Sequence, residues 1–279
     1  MNVIKLAFAV VPVLAVLLGA APAALAQPAI APPADIAARK QLNIALFAAF
    51  PPMAYKNVET NELIGIDVDL ANYLGKAFGI AVAWQETGYE AAVNSLTTGR
   101  VDMAFSLFDE PAAADKLDYV PYLSSGMLPY TLAAHAPIAT ALDLCGLTVG
   151  ANRRNGFDAA VRKWSDANCL PAGRKAITVS EADGTPAARL QLKQGRVDAI
   201  VQSSESVPYT MAQEKGVYVK IGKAWTSQMI VIAFPKRSAA LRDAVTAAMK
   251  AAVADGSYAK ALAKHGLEDN SLADEIVRH

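Results

Sequence analysis

Three aromatic side chains stand where a guest could meet them. Phe47 and Phe50 lie at and just beyond the end of a short apolar run, and Tyr89 opens an amphipathic one. A ring face carries a negative quadrupole and suits a planar or cationic ligand; the plain alternative is that these rings are core. Arg153 and Arg154 directly precede Asn155, a capping residue type, with Asp158 three positions on in a capping-box pattern. Free N–H groups at a helix start favour anions, and two guanidinium groups would add to that pull unless they simply face solvent. Ser203 and Ser204 close another apolar run, and Glu205 follows as either a cleft acid or a surface one. No G-x-S-x-G, G-x-G-x-x-G, phosphate loop or H-E-x-x-H occurs, so nucleophilic, dinucleotide, nucleotide and zinc chemistry have no foothold. What remains is recognition by rings, hydroxyls and charges.

Composition narrows the partners. In 279 residues, 26 basic side chains balance 26 acidic ones, so no nucleic-acid partner is expected. Apolar residues make up 53% and charged ones 19%, enough to fill a sizeable core and far from a disordered composition. Two cysteines and the scattered His135, His265 and His279 are too few for a Cys-rich zinc site or an iron–sulfur cluster, so neither metal nor cofactor is expected. Residues 1–26 read as a secretory signal, with Lys5, an apolar run from Leu6 to Leu18, and Ala24-Leu25-Ala26 before a cut after Ala26. Export to an oxidising compartment, the periplasm, favours a bond between Cys145 and Cys169; two buried thiols are the alternative. Such a bond would be worth roughly 3 kcal/mol.

These groups need elements to hold them. A loose leader is expected over 27–40, and folding starts near Leu42. The hydrophobic pattern predicts strands at 42–47, 80–84 and 101–107, with helices at 67–78 and 89–98. The run Leu96-Thr97-Thr98-Gly99-Arg100-Val101-Asp102 recurs as Leu192-Lys193-Gln194-Gly195-Arg196-Val197-Asp198. Each copy ends a helix at a glycine suited to a left-handed cap and opens a strand after the aspartate. The second copy sits among strands at 147–151 and 177–179 and helices at 155–165 and 186–193, and a strand at 229–234 with a helix at 239–253 follows. Two α/β lobes are implied, 41–134 with 226–279 and 135–225, joined by crossings near 134–137 and 222–227. A hinge follows from two crossings, and the cleft between the lobes is the default site.

Several motifs, in order and spacing, resemble the family 3 extracellular solute-binding proteins that serve polar amino acid ABC transporters. They are Phe50-Pro51-Pro52-Met53, Gly65-Ile66-Asp67-Val68-Asp69-Leu70, the two Gly-Arg-Val-Asp turns, Leu117-Asp118-Tyr119, Asp143-Leu144-Cys145-Gly146-Leu147 and Asp255-Gly256-Ser257-Tyr258. The resemblance implies a two-lobe, type II periplasmic-binding-protein fold, a small-molecule solute as ligand, a membrane ABC permease as partner, and a monomer without enzymatic activity. It puts the ligand-holding serine at Ser106, with Leu107 and Asp109 at the next hydroxyl positions, and the aromatic position at Phe50. Phe47 falls where a polar residue is common. The carboxylate-binding arginine falls on Ala114 or Ala113, the second-lobe helix start on Arg154, Asn155 and Gly156, and the ammonium-binding acid on Ser203. Alanine supplies no guanidinium fork. The expected solute is therefore amino-acid-like, cationic or aromatic, rather than a standard α-amino acid gripped by that arginine. Asp109, beside Ser106, is placed to attract a cation, or is a solvated turn residue. The alternatives are a periplasmic dehydratase of the prephenate or arogenate type using Asp109 or Glu205, and an accessory or sensor subunit.

Overall fold

The computed structural model describes residues 30–109, 113–135 and 138–279; the expected signal at 1–26 lies outside them. The expected loose leader is corrected, because Ala34–Arg39 forms helix α1 and Ile36 is buried in the first core. Burying one such side chain stabilises by about 1.5–3 kcal/mol, enough to fasten a short helix.

The first unit is built on β1 (Gln41–Leu46), the small antiparallel sheet of β2 (Ala49–Phe50), β3 (Ala54–Lys56) and β4 (Leu63–Ile64), then α2 (Ile66–Phe78), β5 (Ala81–Glu86), α3 (Tyr89–Thr98), β6 (Met103–Phe108) and β7 (Leu117–Ser125). Ile66, Leu70, Leu74 and Phe78 recur at helical spacing and bury the inner stripe of α2. β1 pairs in parallel with both β5 and β6, as two strand–helix–strand crossovers require.

The second unit comprises β8 (Met127–Leu132), β9 (Thr148–Asn152), α4 (Phe157–Asn168), β10 (Thr178–Ala182), α5 (Thr185–Lys193), β11 (Ala199–Ser203), α6 (Val207–Gln213) and β12 (Tyr218–Lys220), in sheet order β10-β9-β11-β8-β12. The chain then returns as β13 (Gln228–Pro235), α7 (Ala239–Ala254), α8 (Ser257–His265) and α9 (Ala273–Arg278). β13 lies between β6 and β7, completing the first sheet in the order β5-β1-β6-β13-β7. Cys145 and Cys169 are bonded, 24 residues apart and both in the second unit.

The repeated turn is a repeated structure. Gly99 and Gly195 take left-handed φ values of 76° and 66°. Asp102 Oδ2 accepts from the Asn43 N–H at 2.7 Å while its own N–H donates to Asn43 O at 2.9 Å. Asp198 repeats this with Thr148, at 2.8 Å in both directions. Each aspartate thus ties the start of its strand to the neighbouring parallel strand, which explains why it returns in both copies.

The first crossing is not near 134–137. Met127–Leu132 already pairs with β11 and β12, so the chain passes from one sheet to the other at Gly126. A Cβ on Gly126 would lie 1.9 Å from Thr226 O in the returning crossing, and the Met127 N–H donates to the Thr226 hydroxyl at 2.9 Å beside it. Asn270 adds a tie, donating from Nδ2 to Ser124 O and to Ser204 Oγ at 2.8 Å each. Among the described residues no helix is long and apolar enough to cross a membrane. Replacing Gly126 with Ala forces the crossings apart, and a loss of about 1–3 kcal/mol is expected in urea unfolding. An unchanged midpoint would show that the crossings are loosely packed.

Candidate functional site: a cleft between two units

The carboxyl ends of the parallel strands in both units carry most of the residues singled out in the sequence. The structure sorts them into different places. A cleft of about 410 Å³ draws one wall from Phe50 and Pro51 and the other from Thr185, Gln202, Ser203 and Thr210. Phe50 and Ser203 are thereby brought together. A second contact joins the units near this cleft, where the rings of Tyr55 and Tyr209 meet edge to face with centroids 5.2 Å apart.

Ser106 forms the centre of a buried polar cluster. It sits at the end of a strand core with φ +57°, a left-handed backbone rare for a residue with a side chain. Its hydroxyl donates to Asp67 Oδ2 at 2.6 Å, and the Tyr122 hydroxyl donates to Asp67 Oδ1 at 2.5 Å. Asp67 is fully buried. Burial pushes its carboxyl up to about 6, and the Ser106 and Tyr122 hydroxyls partly offset that rise. Because the Ser106 proton is committed to Asp67, its oxygen is left with lone pairs and so with the role of acceptor.

The other candidates lie elsewhere. Phe47 is 44% exposed. Tyr89 packs against Phe108 at 6.3 Å between centroids, and its hydroxyl accepts from the Phe108 N–H at 3.4 Å. Asp109 and Ala114 line a separate cavity of about 640 Å³, where Lys236 and Arg242 are held by Asp118 and Lys250 also contributes a cation. The guanidinium that shares this cavity with Ala114 is that of Arg242, taken up by Asp118 and Asp243.

Arg153 lies 2.6 Å and Arg154 3.9 Å from the same Asp183 oxygen, so their charge is answered within the second unit. The Arg153 hydrogen bond in turn lowers the Asp183 carboxyl. The expected cap at Asn155 is corrected: Asn152 accepts from the Arg154 N–H, Arg153–Asn155 forms a 3-10 turn, and Gly156 takes the N-cap position of α4. Helix α4 therefore begins two residues later than expected, and Asp158 no longer stands where a capping box needs it. Glu205 is fully buried rather than at a surface, with Oε2 accepting from Ser125 Oγ at 2.7 Å and Oε1 without a partner among the described residues. Burial pushes its carboxyl up.

Of the second wall, sequence reasoning found only Ser203. Arg189 lies one turn beyond Thr185 on α5, and Ser206, Tyr209, Thr210 and Gln213 face the cleft at helical spacing along α6. That polar stripe was readable, but no expected helix covered it. Among the described residues no cluster of three or more His, Cys, Asp or Glu side chains is disposed to hold a metal ion.

Asp67 makes a signed prediction. Its folded value, about 6, exceeds the ordinary 3.8, so the folded chain holds the extra proton between those two values. Stability from this group is full below 3.8 and falls as pH rises through about 6. Asp67→Asn should therefore flatten the decline in urea stability over that window; an unchanged pH profile would show that Asp67 titrates normally.

The family model described as bacterial extracellular solute-binding proteins, family 3, matches residues 42–268. An arginine-binding protein of Corynebacterium glutamicum is 24% identical over 246 residues, covering 88% of this chain and 80% of that protein. An L-cystine-binding protein of Bacillus subtilis is 24% identical over 240 residues, 85% of each chain. Among solved structures, the second substrate-binding domain of GlnP from Lactococcus lactis, in its open conformation, superposes with a TM-score of 0.72 at 25% identity, covering 81% of this chain and 95% of that one. Two units, a doubly crossed junction, and a family match over most of the length agree: the chain belongs to the bacterial extracellular solute-binding proteins, family 3.

Proposed function

We propose that this protein is an exported receptor that captures a small, amino-acid-like solute between its two units and delivers it to a membrane ABC permease. One observation carries the reading: the cleft of about 410 Å³ has walls from both units. That volume suits a small ligand. A solute that touches both walls stabilises only the closed arrangement, so binding and closure are linked by differential affinity.

Relatives named for arginine and for cystine support an amino-acid-like guest. Alanines at 113 and 114 favour one that is not held by an arginine at that position. Export through residues 1–26 with cleavage after Ala26, and action as a monomer, belong to the same reading. Binding without chemistry is favoured over dehydration, since Glu205 is buried behind the crossing and Asp109 lines another cavity.

Thermal melts with arginine, histidine, cystine and glutamate test it. A true solute at a hundred times its Kd stabilises by about 2.7 kcal/mol, which is roughly 5–10 °C for a chain of this size. A shift is expected with at least one of the first three, and little with glutamate. Phe50→Ala should weaken the responding solute up to about tenfold, the worth of an aromatic contact. Should only glutamate shift the melt, with Phe50→Ala without effect, the proposed solute class and cleft are both wrong.

A further inference from the structure

We propose that Arg189 grips the solute's carboxylate, from the second unit rather than the first. This deepens the receptor reading above and rests on it. Arg189 lines the two-sided cleft beside Gln202 and Ser203, opposite Phe50. Its charge is only partly answered: Glu214, which lines the same cleft and is paired with Lys193, acts on it from beyond ion-pair distance. The nearby cations are all paired, Arg153 and Arg154 with Asp183 and Lys193 with Glu214, whereas no described carboxylate oxygen lies within 4.0 Å of Arg189.

The guanidinium is also held in place. It donates to Thr210 Oγ1 at 3.3 Å, and Thr210 is bonded to the buried Gln202 amide, whose Oε1 accepts from the Tyr130 hydroxyl at 2.8 Å. Arg189 further opposes the rise that burial imposes on the Tyr130 phenol, so the two groups are neighbours. A guanidinium has five N–H donors in a planar fork. The one toward Thr210 leaves others for a guest. A half-buried cation oriented by a buried network, with no carboxylate in direct contact, is completed by an anion, and a carboxylate matches the fork with two parallel hydrogen bonds. Closure of the cleft would exclude water from that pair and strengthen it.

The decisive comparison uses acids and their decarboxylated counterparts: arginine with agmatine, histidine with histamine, and cystine with cystamine. Titration calorimetry on the whole protein should show the responding acid binding at least tenfold more tightly than its amine. Arg189→Gln should weaken the acid about 10- to 100-fold, the worth of hydrogen bonds to a charged group, and leave the amine unchanged. Arg189→Lys keeps the charge without the fork and should lose at least fivefold, which carries the test should Arg189→Gln not fold. Equal binding of acid and amine, or variants that hold the acid as tightly as the native protein, would overturn the inference while leaving the receptor reading intact. Silence from all six compounds would remove that reading and the inference together.

Discussion

The architecture depends on a single close approach between backbones. At Gly126 the chain leaves one sheet and enters the other, and the carbonyl of Thr226 fills the space where any other residue would carry its Cβ. Two sheets can share one chain twice only if both passages lie side by side, and here they do so at backbone contact, with the Thr226 hydroxyl accepting from the Met127 N–H. The hydrogen bonds of Asn270 and the buried Ser125–Glu205 pair gather around the same point. Everything that two walls can do to a guest follows from this narrow junction, because it sets their distance while leaving the rest of their surfaces free of covalent ties.

Within that frame, charge is allocated by burial. The first unit holds a carboxylate, Asp67, fully enclosed and bonded to two hydroxyls, which fixes Ser106 in a backbone conformation that costs about 1–3 kcal/mol by itself. The second unit holds a guanidinium, Arg189, on a network of amide and hydroxyl groups. Surface charges near them are matched pairwise and add little net field, as exposed ion pairs generally do. The groups with fixed orientation are therefore these few, set by buried partners, and not the larger number of charges on view.

Much of the fold was legible. Helical spacing marked α2, and the repeated Gly-Arg-Val-Asp turns marked two similar units, since each aspartate performs the same bond in its own sheet. The first crossing was not legible because Ser124-Ser125-Gly126 reads as an ordinary turn between two strands; which sheet accepts a strand is decided by distant partners such as β11 and β13. The cleft was half legible. Phe50 and Ser203 sit at strand ends, where sequence can point. Arg189 sits mid-helix, where its direction depends on packing, and the tyrosine that completes Asp67 lies 55 residues away. The expected use of Arg153 and Arg154 failed because Asp183, thirty residues downstream, folds back onto them.

The position of β13 imposes an order of assembly. It occupies an inner place in the first sheet, between β6 and β7, yet it starts only at Gln228, after the whole second unit has been spelled out. A chain emerging from its N-terminus can therefore complete the inserted unit while the outer one still lacks an interior strand, and with it α7 and α8 against the core. Premature closure of the outer unit is forbidden by connectivity alone. The inserted unit can therefore be finished first, and the outer unit becomes whole only when the last fifth of the chain arrives.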